Sequence, residues 1–482
     1  MNDTSMEQKI HRIYETAVEI LERAGIRLLH PEIIDLLNDR GIRISGDTAY
    51  FTAAQIREWC ERAPSEFRFT APNPAFSTVI GGSRSEYISA YGCSAISLRN
   101  GSRQDAVLDD YIEISRLLHT SPLFNINGGI LAQPNDIPAD LSHLIMIYTA
   151  MMNSDKCILG VPGSRKEMEE LMELAAIRFN GKENFVKAPC LLTMISTISP
   201  LQMDDMALSS IMVAARNNQP LIISPAPAAG TTGPIDLASN LALATAEALA
   251  GIAVAQIINP GTPVLFGLQC YGADMKSGNI AIGSPAYALQ AKYTAAIATY
   301  LGVPSRCGGA TNDARIVSPQ SGYESMLSMF TACQNRVNLI VHSAGILDSF
   351  AAFSYDQFFI DLEIIEMSRY YLNDIEVSDK TLSSDLICEV GPGGQFLTAM
   401  DTMTKCRSHA WSPQIGVQGI LKTGTDPMEK FYENIDARRK AMLDSYTPPE
   451  IPEGIRSKMK AFMRRKGVDS RILDKINPIS TN

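Results

Sequence analysis

From residue 124 onward the chain repeats one plan eight times: a short apolar stretch ending in Gly, Ser or Pro, then a longer amphipathic one. The apolar stretches span 124–131, 156–161, 190–197, 220–225, 263–270, 304–309, 338–345 and 386–394. The amphipathic ones lie near 139–153, 165–179, 202–217, 236–258, 285–301, 320–335, 356–371 and 396–408. Strands separated by helices pair in parallel through right-handed crossovers. Eight such units predict an α/β fold, a closed (β/α)8 TIM barrel, with an open doubly wound sheet as the alternative. The sixth strand, PSRCGG, is short.

What flanks the repeat reads differently. Residues 1–122 predict helices over 6–26, from Pro31 to Leu37 and over 53–63, then a small antiparallel meander from Phe67 to Asn100. A helix over 105–119 leads into the barrel, placed at 123–425. Residues 426–482 predict a helical appendage: a charged helix, the turn TPPEIPEG and a last basic helix. Such an appendage packs on the barrel or on a neighbouring subunit, and a homo-oligomer is expected.

Composition narrows the function classes. At 45% hydrophobic residues the chain can bury a large core. The formal net charge is −10 and the only basic cluster is the MRRK ending at Lys466, which argues against nucleic acid, whose affinity rests on phosphate neutralisation. The nine cysteines are scattered without a CxxC pair, so neither a disulfide framework nor a zinc ribbon is indicated. The N-terminus is charged and amphipathic, unlike a secretory signal. No apolar run approaches ~20 residues without polar, Gly or Pro interruption. A cytoplasmic protein without a membrane partner is expected.

In a barrel of this type the chemistry gathers where the strands end. CGGATNDAR, from Cys307 to Arg315, follows the sixth predicted strand, and VHSAG brings His342, with Asp348 beyond it. The fifth offers Gln269 and Tyr271, the fourth SPAPAAG, the third Ser196 and Thr197, the eighth GPGGQF. Each has a plain reading. Gly308 and Gly309 suit a tight turn, Arg315 a surface ion pair, His342 a buried core position and Asp348 a loop cap. Only their shared rim raises the functional one. GPGG is compatible with phosphate binding or with a simple turn. The six histidines include no H-x-H or HExxH, so no metal site is expected. Tyr91 and the run SFAAFSYDQFF (Phe350, Phe353, Tyr355, Phe358, Phe359) supply ring faces for a cation such as trimethylammonium, or core packing. Arg315 and His342 would complement a carboxylate.

TNDARIVSPQSGYES, NLIVHSAGILDSF and ICEVGPGGQFLTAMDTM, with YGCSA and the late Trp411–Pro413, resemble the trimethylamine methyltransferase (MttB-like) family over nearly the whole chain. The resemblance implies a (β/α)8 barrel that passes a methyl group from a methylamine or quaternary amine to the cobalt of a partner corrinoid protein. Cobalamin is then the cofactor, carried by that cognate corrinoid protein. The founding enzymes carry pyrrolysine, whereas this chain holds only standard residues. Gln395 and Ser318 stand where the family often has His and Asp.

A quaternary ammonium already carries the charge that lets it leave as a neutral amine, so no general acid is required. The site need only hold the cation with one methyl in line for attack. On this reading the substrate is a betaine: glycine betaine first, then proline betaine or carnitine. Gly308 and Gly309 let the backbone approach the corrin ring, with Asn312 and Gln395 as further corrin contacts. Asp313 and His342 take catalytic roles. Tyr91, Gln269, Arg315, His342, Phe353, Tyr355 and Phe358 bind substrate. The rivals are a non-catalytic quaternary-amine-binding or regulatory paralogue, and a Schiff-base aldolase. The aldolase is disfavoured because Lys156 lies at a strand start and Lys292 inside a helix.

Overall fold

In the computed structural model the described residues are 5–270, 272–274, 276, 278–407, 409 and 411–477. Eight parallel strands form one nearly closed sheet: β1 (Glu86–Tyr87), β2 (Ile126–Gly128), β3 (Cys157–Leu159), β4 (Leu191–Ser196), β5 (Leu221–Ser224), β6 (Val264–Gly267), β7 (Ser305–Gly308) and β8 (Leu339–Val341). Neighbours follow chain order from β2 to β8, and β8 returns to β1 through Leu339 opposite Glu86 and Ile340 opposite Tyr87. Past β1 and β2 the seam is drawn together by the Gly92 amide donating to Ile130 at 2.7 Å. Each strand is followed by a helix: α1 (Leu108–Thr120), α2 (Ser142–Asn153), α3 (Arg165–Arg178), α4 (Asp205–Arg216), α5 (Leu237–Ile258), α6 (Pro285–Leu301), α7 (Pro319–Gln334) and α8 (Tyr355–Leu372).

The (β/α)8 architecture therefore holds, with one strand exchanged. The predicted strand over 386–394 is instead the helix Ser384–Val390 followed by an exposed GPGG turn. The missing place is taken by β1, from inside the region read as an antiparallel meander. Glu86–Tyr87 is too short for its alternation to show in sequence, whereas LICEV is apolar enough to pass for a strand. The barrel thus starts before residue 123, and the positions at strand ends renumber: Cys307–Gly309 belongs to β7, His342 to β8.

The interior is filled by alternate strand residues. Ile126, Cys157, Leu159, Leu192, Met194, Ile222, Leu265, Leu339 and Val341 form one buried cluster with Phe67, Phe69 and Ile80. The last three come from the hairpin Glu66–Phe69 / Thr78–Gly81. Thr70 donates to Pro189 and Asn73 to Asp155, just before β4 and β3, so this hairpin plugs the amino end of the barrel. At the opposite end the segments after β1 and β8 are woven into one small sheet: Ala352–Phe353 pairs with Ile346–Leu347 and with Ala95–Ser97, which pairs with Arg103–Asp105. That sheet fixes the rim of the mouth.

Outside, the N-terminal helix Met6–Arg23 and the helix Ala53–Cys60 pack on α5. α5 is long and apolar enough to cross a membrane, yet 94% of its apolar window is buried inside this fold. Pro427–Asp444 packs on α1 and α8, Glu453–Arg465 on α3, and Ser470–Ile476 on α2, so the C-terminal helices embrace the barrel's first three helices and its last.

Candidate active site

Immediately above the apolar interior, β7 turns an arginine inward. Arg306 is fully buried and alternates with Cys307, which faces the helices. Its Nη1 donates to Ser224 Oγ and to Gln269 Oε1, both at 2.9 Å, so the ends of β5 and β6 hold the fork. Gln269 is fixed in turn by its Nε2, which lies 3.4 Å from the Tyr287 hydroxyl on α6. A side chain at Gly308 would collide with that hydroxyl. Glycine there serves packing within the barrel wall. Gly309 is also enclosed, by Ile340, Met329 and Ser343.

His342 lies at the end of β8 with φ 59°, a left-handed conformation uncommon for a non-glycine residue. Its amide donates to Ser89 at 3.1 Å, which ties β8 to the segment after β1. The ring is 3% exposed, and its Nδ1 is buried without a hydrogen-bond partner. Burial, reinforced by the Arg306 charge, holds the imidazole well below its ordinary pKa, so it is neutral. The Phe350 ring stands 4.5 Å from it and the Tyr91 ring 6.4 Å. Phe350 is delivered by three consecutive left-handed residues, Asp348, Ser349 and Phe350. Strain of this kind is retained where surrounding structure over-determines it, and it concentrates at functional sites. Tyr91 packs its ring against Gly129, whose φ of 76° and lack of a side chain make the space. Burial raises the Tyr91 hydroxyl pKa, against the Arg306 charge, so it remains protonated. At the β4 end Ser196 is exposed, so the mouth opens there.

Tyr91, Gln269 and His342 are thus brought together with Arg306, Ser224 and Phe350. The other predicted positions are not at this cluster. Arg315 is 80% exposed and pairs with Asp348 at 3.8 Å, and Asp348 also pairs with Arg103. This is the plain surface reading. Asp313 is a brace: its carboxylate accepts from the Ile282 and Gly283 amides at 3.0 and 2.9 Å and from Ser349 Oγ at 2.6 Å. Asn312 spends its amide on Ser325 Oγ and Ile346 O. Phe353 and Phe358 are core residues, Phe358 stacked on Phe124. Tyr355 donates to Asp110 and carries Arg439 over its ring, facing the C-terminal helix. Gln395 is exposed on the segment beyond α8. Ser318 caps α7 through Ser321. Tyr271 lies outside the described residues.

The signal for Arg306 was present in PSRCGG: an arginine flanked by buried residues inside a strand. Phe350 carried no signal beyond its aromatic run, because its place depends on the left-handed turn. A separate cavity of about 1120 Å³ lies outside the barrel between Met6–Arg23 and α5 and shares no residue with this cluster.

A parallel barrel whose strand ends converge on a buried cation, a neutral imidazole and aromatic faces has the layout of a barrel enzyme that positions a small ligand. The family model for trimethylamine methyltransferase (MTTB) matches residues 2–470. The chain is 36% identical over 461 residues to the glycine betaine methyltransferase of Desulfitobacterium hafniense strain Y51, covering 96% of each. It is 24% identical over 459 residues to the proline betaine:corrinoid methyltransferase of Eubacterium limosum, covering 92% of this chain and 93% of that one. The monomethylamine methyltransferase MtmB of Methanosarcina barkeri shares the fold at TM-score 0.55 and 12% identity, over 91% of this chain and 88% of the other. The chain belongs to the trimethylamine methyltransferase (MTTB) family, and it is an enzyme that transfers methyl groups.

Proposed function

We propose that this methyltransferase takes its methyl group from a betaine, a quaternary amine that also bears a carboxylate, and delivers it to a corrinoid carried by a partner protein. The observation that carries the betaine assignment is Arg306. A buried guanidinium at the mouth repels a bare cation by roughly 3 kcal/mol at ~5 Å in a medium of effective dielectric ~20. A zwitterion reverses the sign of that interaction, because its carboxylate meets the arginine first. The names of the two betaine-specific relatives support the same class.

The residues divide the work by charge. Arg306, steadied by Ser224 and Gln269, takes the carboxylate through charge-assisted hydrogen bonds. The faces of Tyr91 and Phe350, with neutral His342 between them, receive the ammonium by ring quadrupole and contact. A neutral His342 adds no positive charge against that ammonium. No proton has to move: the methyl leaves without the C–N electron pair, which returns to nitrogen and frees a neutral tertiary amine. The corrinoid supplies the electron pair that accepts the methyl group. Of the residues expected to meet it, Gly308 and Gly309 are enclosed by side chains, Asn312 is locked in an internal network, and Gln395 lies on the exposed segment. They do not form a corrin cradle, and no step is assigned to them.

The two departures from the family pattern, Gln395 and Ser318, both fall outside the mouth cluster, which leaves the non-catalytic reading without a structural argument. The test is optical. Purified protein is mixed with reduced cobalamin, free and then on a corrinoid protein, and offered glycine betaine, proline betaine, carnitine, choline or trimethylamine. We expect methylcobalamin to form with one betaine. Arg306→Gln should lower kcat/KM for it about 100-fold, the scale of two charged hydrogen bonds at about 1.5 kcal/mol each, while Arg306→Lys retains part of it and Arg315→Ala all of it. Undiminished betaine turnover in Arg306→Gln would place the carboxylate elsewhere. Silence across the whole panel in both formats would make the chain a binding paralogue.

A further inference from the structure

The turn TPPEIPEG (447–454) takes no part in the mouth. It lies at the amino end of the barrel, where Glu450 and Ile455 form one wall of a cavity of about 550 Å³. The other walls come from the plug hairpin through Thr70 and Asn73, from Asp155 ahead of β3, and from Arg178 at the end of α3. The cavity shares no residue with the mouth cluster. Two of its residues carry charges that the protein leaves unmatched. Arg178 is 5% exposed, its Nε is buried without a partner, and among the described residues no hydrogen bond or ion pair reaches its guanidinium. Burial brings its pKa down to about 10, with the Asp155 charge opposing the fall and the Arg456 charge adding to it. Asp155 accepts from the Asn73 side-chain amide through Oδ2 at 3.0 Å, but its Oδ1 is likewise buried without a hydrogen bond. His119 Nδ1 stands 3.6 Å from that oxygen, and burial holds the imidazole below its ordinary pKa, so it is neutral. Buried charges are ordinarily paired and hydrogen-bonded, because taking them out of water is costly. Here two opposite charges line one cavity without meeting each other.

We infer that this cavity is a second binding site, for a small amino-acid zwitterion that carries at least one N–H. A bare carboxylate meets Arg178 but is repelled by Asp155 and by the exposed Glu450 at the rim, and a bare ammonium meets the reverse. A zwitterion satisfies both, with its carboxylate on the planar fork of Arg178 and its ammonium on Asp155. What Asp155 Oδ1 lacks is a hydrogen-bond donor, not only a positive charge. A quaternary ammonium has no N–H to give, so the cavity discriminates against betaines. Primary, secondary and tertiary ammonium groups all qualify. Ligands of this class have two sources. One is free amino acids. The other, on the reading proposed above, is the dimethylated amino acid that demethylation of a betaine leaves and water then protonates.

Calorimetric titration of the full chain tests the site, with glycine, proline and N,N-dimethylglycine as probes and glycine betaine and acetate for comparison. We expect an N–H zwitterion to occupy one site per chain that Arg178→Gln removes. Arg306→Gln should leave that site in place, so the count does not depend on how the mouth binds its substrate. Arg178→Lys, which keeps the charge but not the fork, should weaken binding there at least tenfold. Asp155→Asn should invert the selectivity: acetate then binds, and the zwitterion binds at least tenfold more weakly. A residue that served folding alone would not produce that exchange. Binding of dimethylglycine without glycine or proline would support the site and assign it to the reaction product, whereas equal binding of all three would support it and assign it to free amino acids. Acetate or glycine betaine binding at the Arg178-dependent site of the wild type as tightly as the amino acids would overturn the inference. So would a titration in which no N–H zwitterion binds there, which leaves the cavity to water.

Discussion

His342 shows at the scale of one residue how burial sets chemistry. Its imidazole is enclosed between Phe350 and Tyr91 and beside the Arg306 charge, and its pKa lies well below the usual 6.5. In the unfolded chain the same ring takes a proton near pH 6.5. As pH falls below that value the unfolded state binds a proton that the folded state refuses, so stability present above about pH 6.5 is lost on acidification. Urea midpoints of wild type and His342→Gln measured from pH 7.5 to 5 should therefore converge or cross as pH falls. A constant difference would mean that the ring titrates normally. Arg306 and Arg315 make a second point at this scale. Sequence picked out Arg315 alone, but the pleat of β7 turns Arg306 inward while Arg315, beyond the strand, lies on the surface.

At the scale of elements, the loops after β6, β7 and β8 are cross-braced by side chains rather than by regular structure. Asp313 joins the Ile282 and Gly283 amides to Ser349, Asn312 reaches Ile346, and Asp361 on α8 accepts from the Gly345 amide at 2.8 Å and from Gln357 at 2.7 Å. These bonds hold the left-handed turn that presents Phe350. Asp313→Ala should destabilise the fold by about 1–3 kcal/mol, the cost of stranding buried donors, and increase proteolysis over residues 272–283. We expect kcat to fall less than tenfold. A thousandfold loss of kcat with an unchanged melting temperature would return Asp313 to the reacting groups. The brace was not legible in TNDAR because the partners of the Asp313 carboxylate lie 30 or more residues away, on two other loops.

Across the whole molecule, the amino-terminal region is inseparable from the barrel. The hairpin Glu66–Phe69 / Thr78–Gly81 fills the interior from below, and β1 supplies a strand of the wall. Phe69→Ala should cost about 3–5 kcal/mol, the range for a fully buried aromatic, read as a lower urea midpoint with an unchanged slope. A chain beginning at residue 123 lacks both plug and strand and should fail to unfold cooperatively. A cooperative transition in that fragment would restore the boundary expected from sequence.

What the sequence determined by itself was the repeat. Alternating apolar strands and amphipathic helices can bury both faces of a parallel sheet only in a barrel or a doubly wound sheet, and eight units favour closure. That reasoning counted eight strands correctly while choosing LICEV over Glu86–Tyr87, because a two-residue strand has no period to detect and owes its place to pairing with β8. The candidate site divided the same way. Gln269 and His342 could be found because they follow strands and Tyr91 because it is aromatic, whereas Arg306, Ser224 and Phe350 acquired their positions only from pleat direction, neighbouring strand ends and a strained turn. Local pattern is written in consecutive residues, but the direction in which a buried charge points is set by contacts between distant ones.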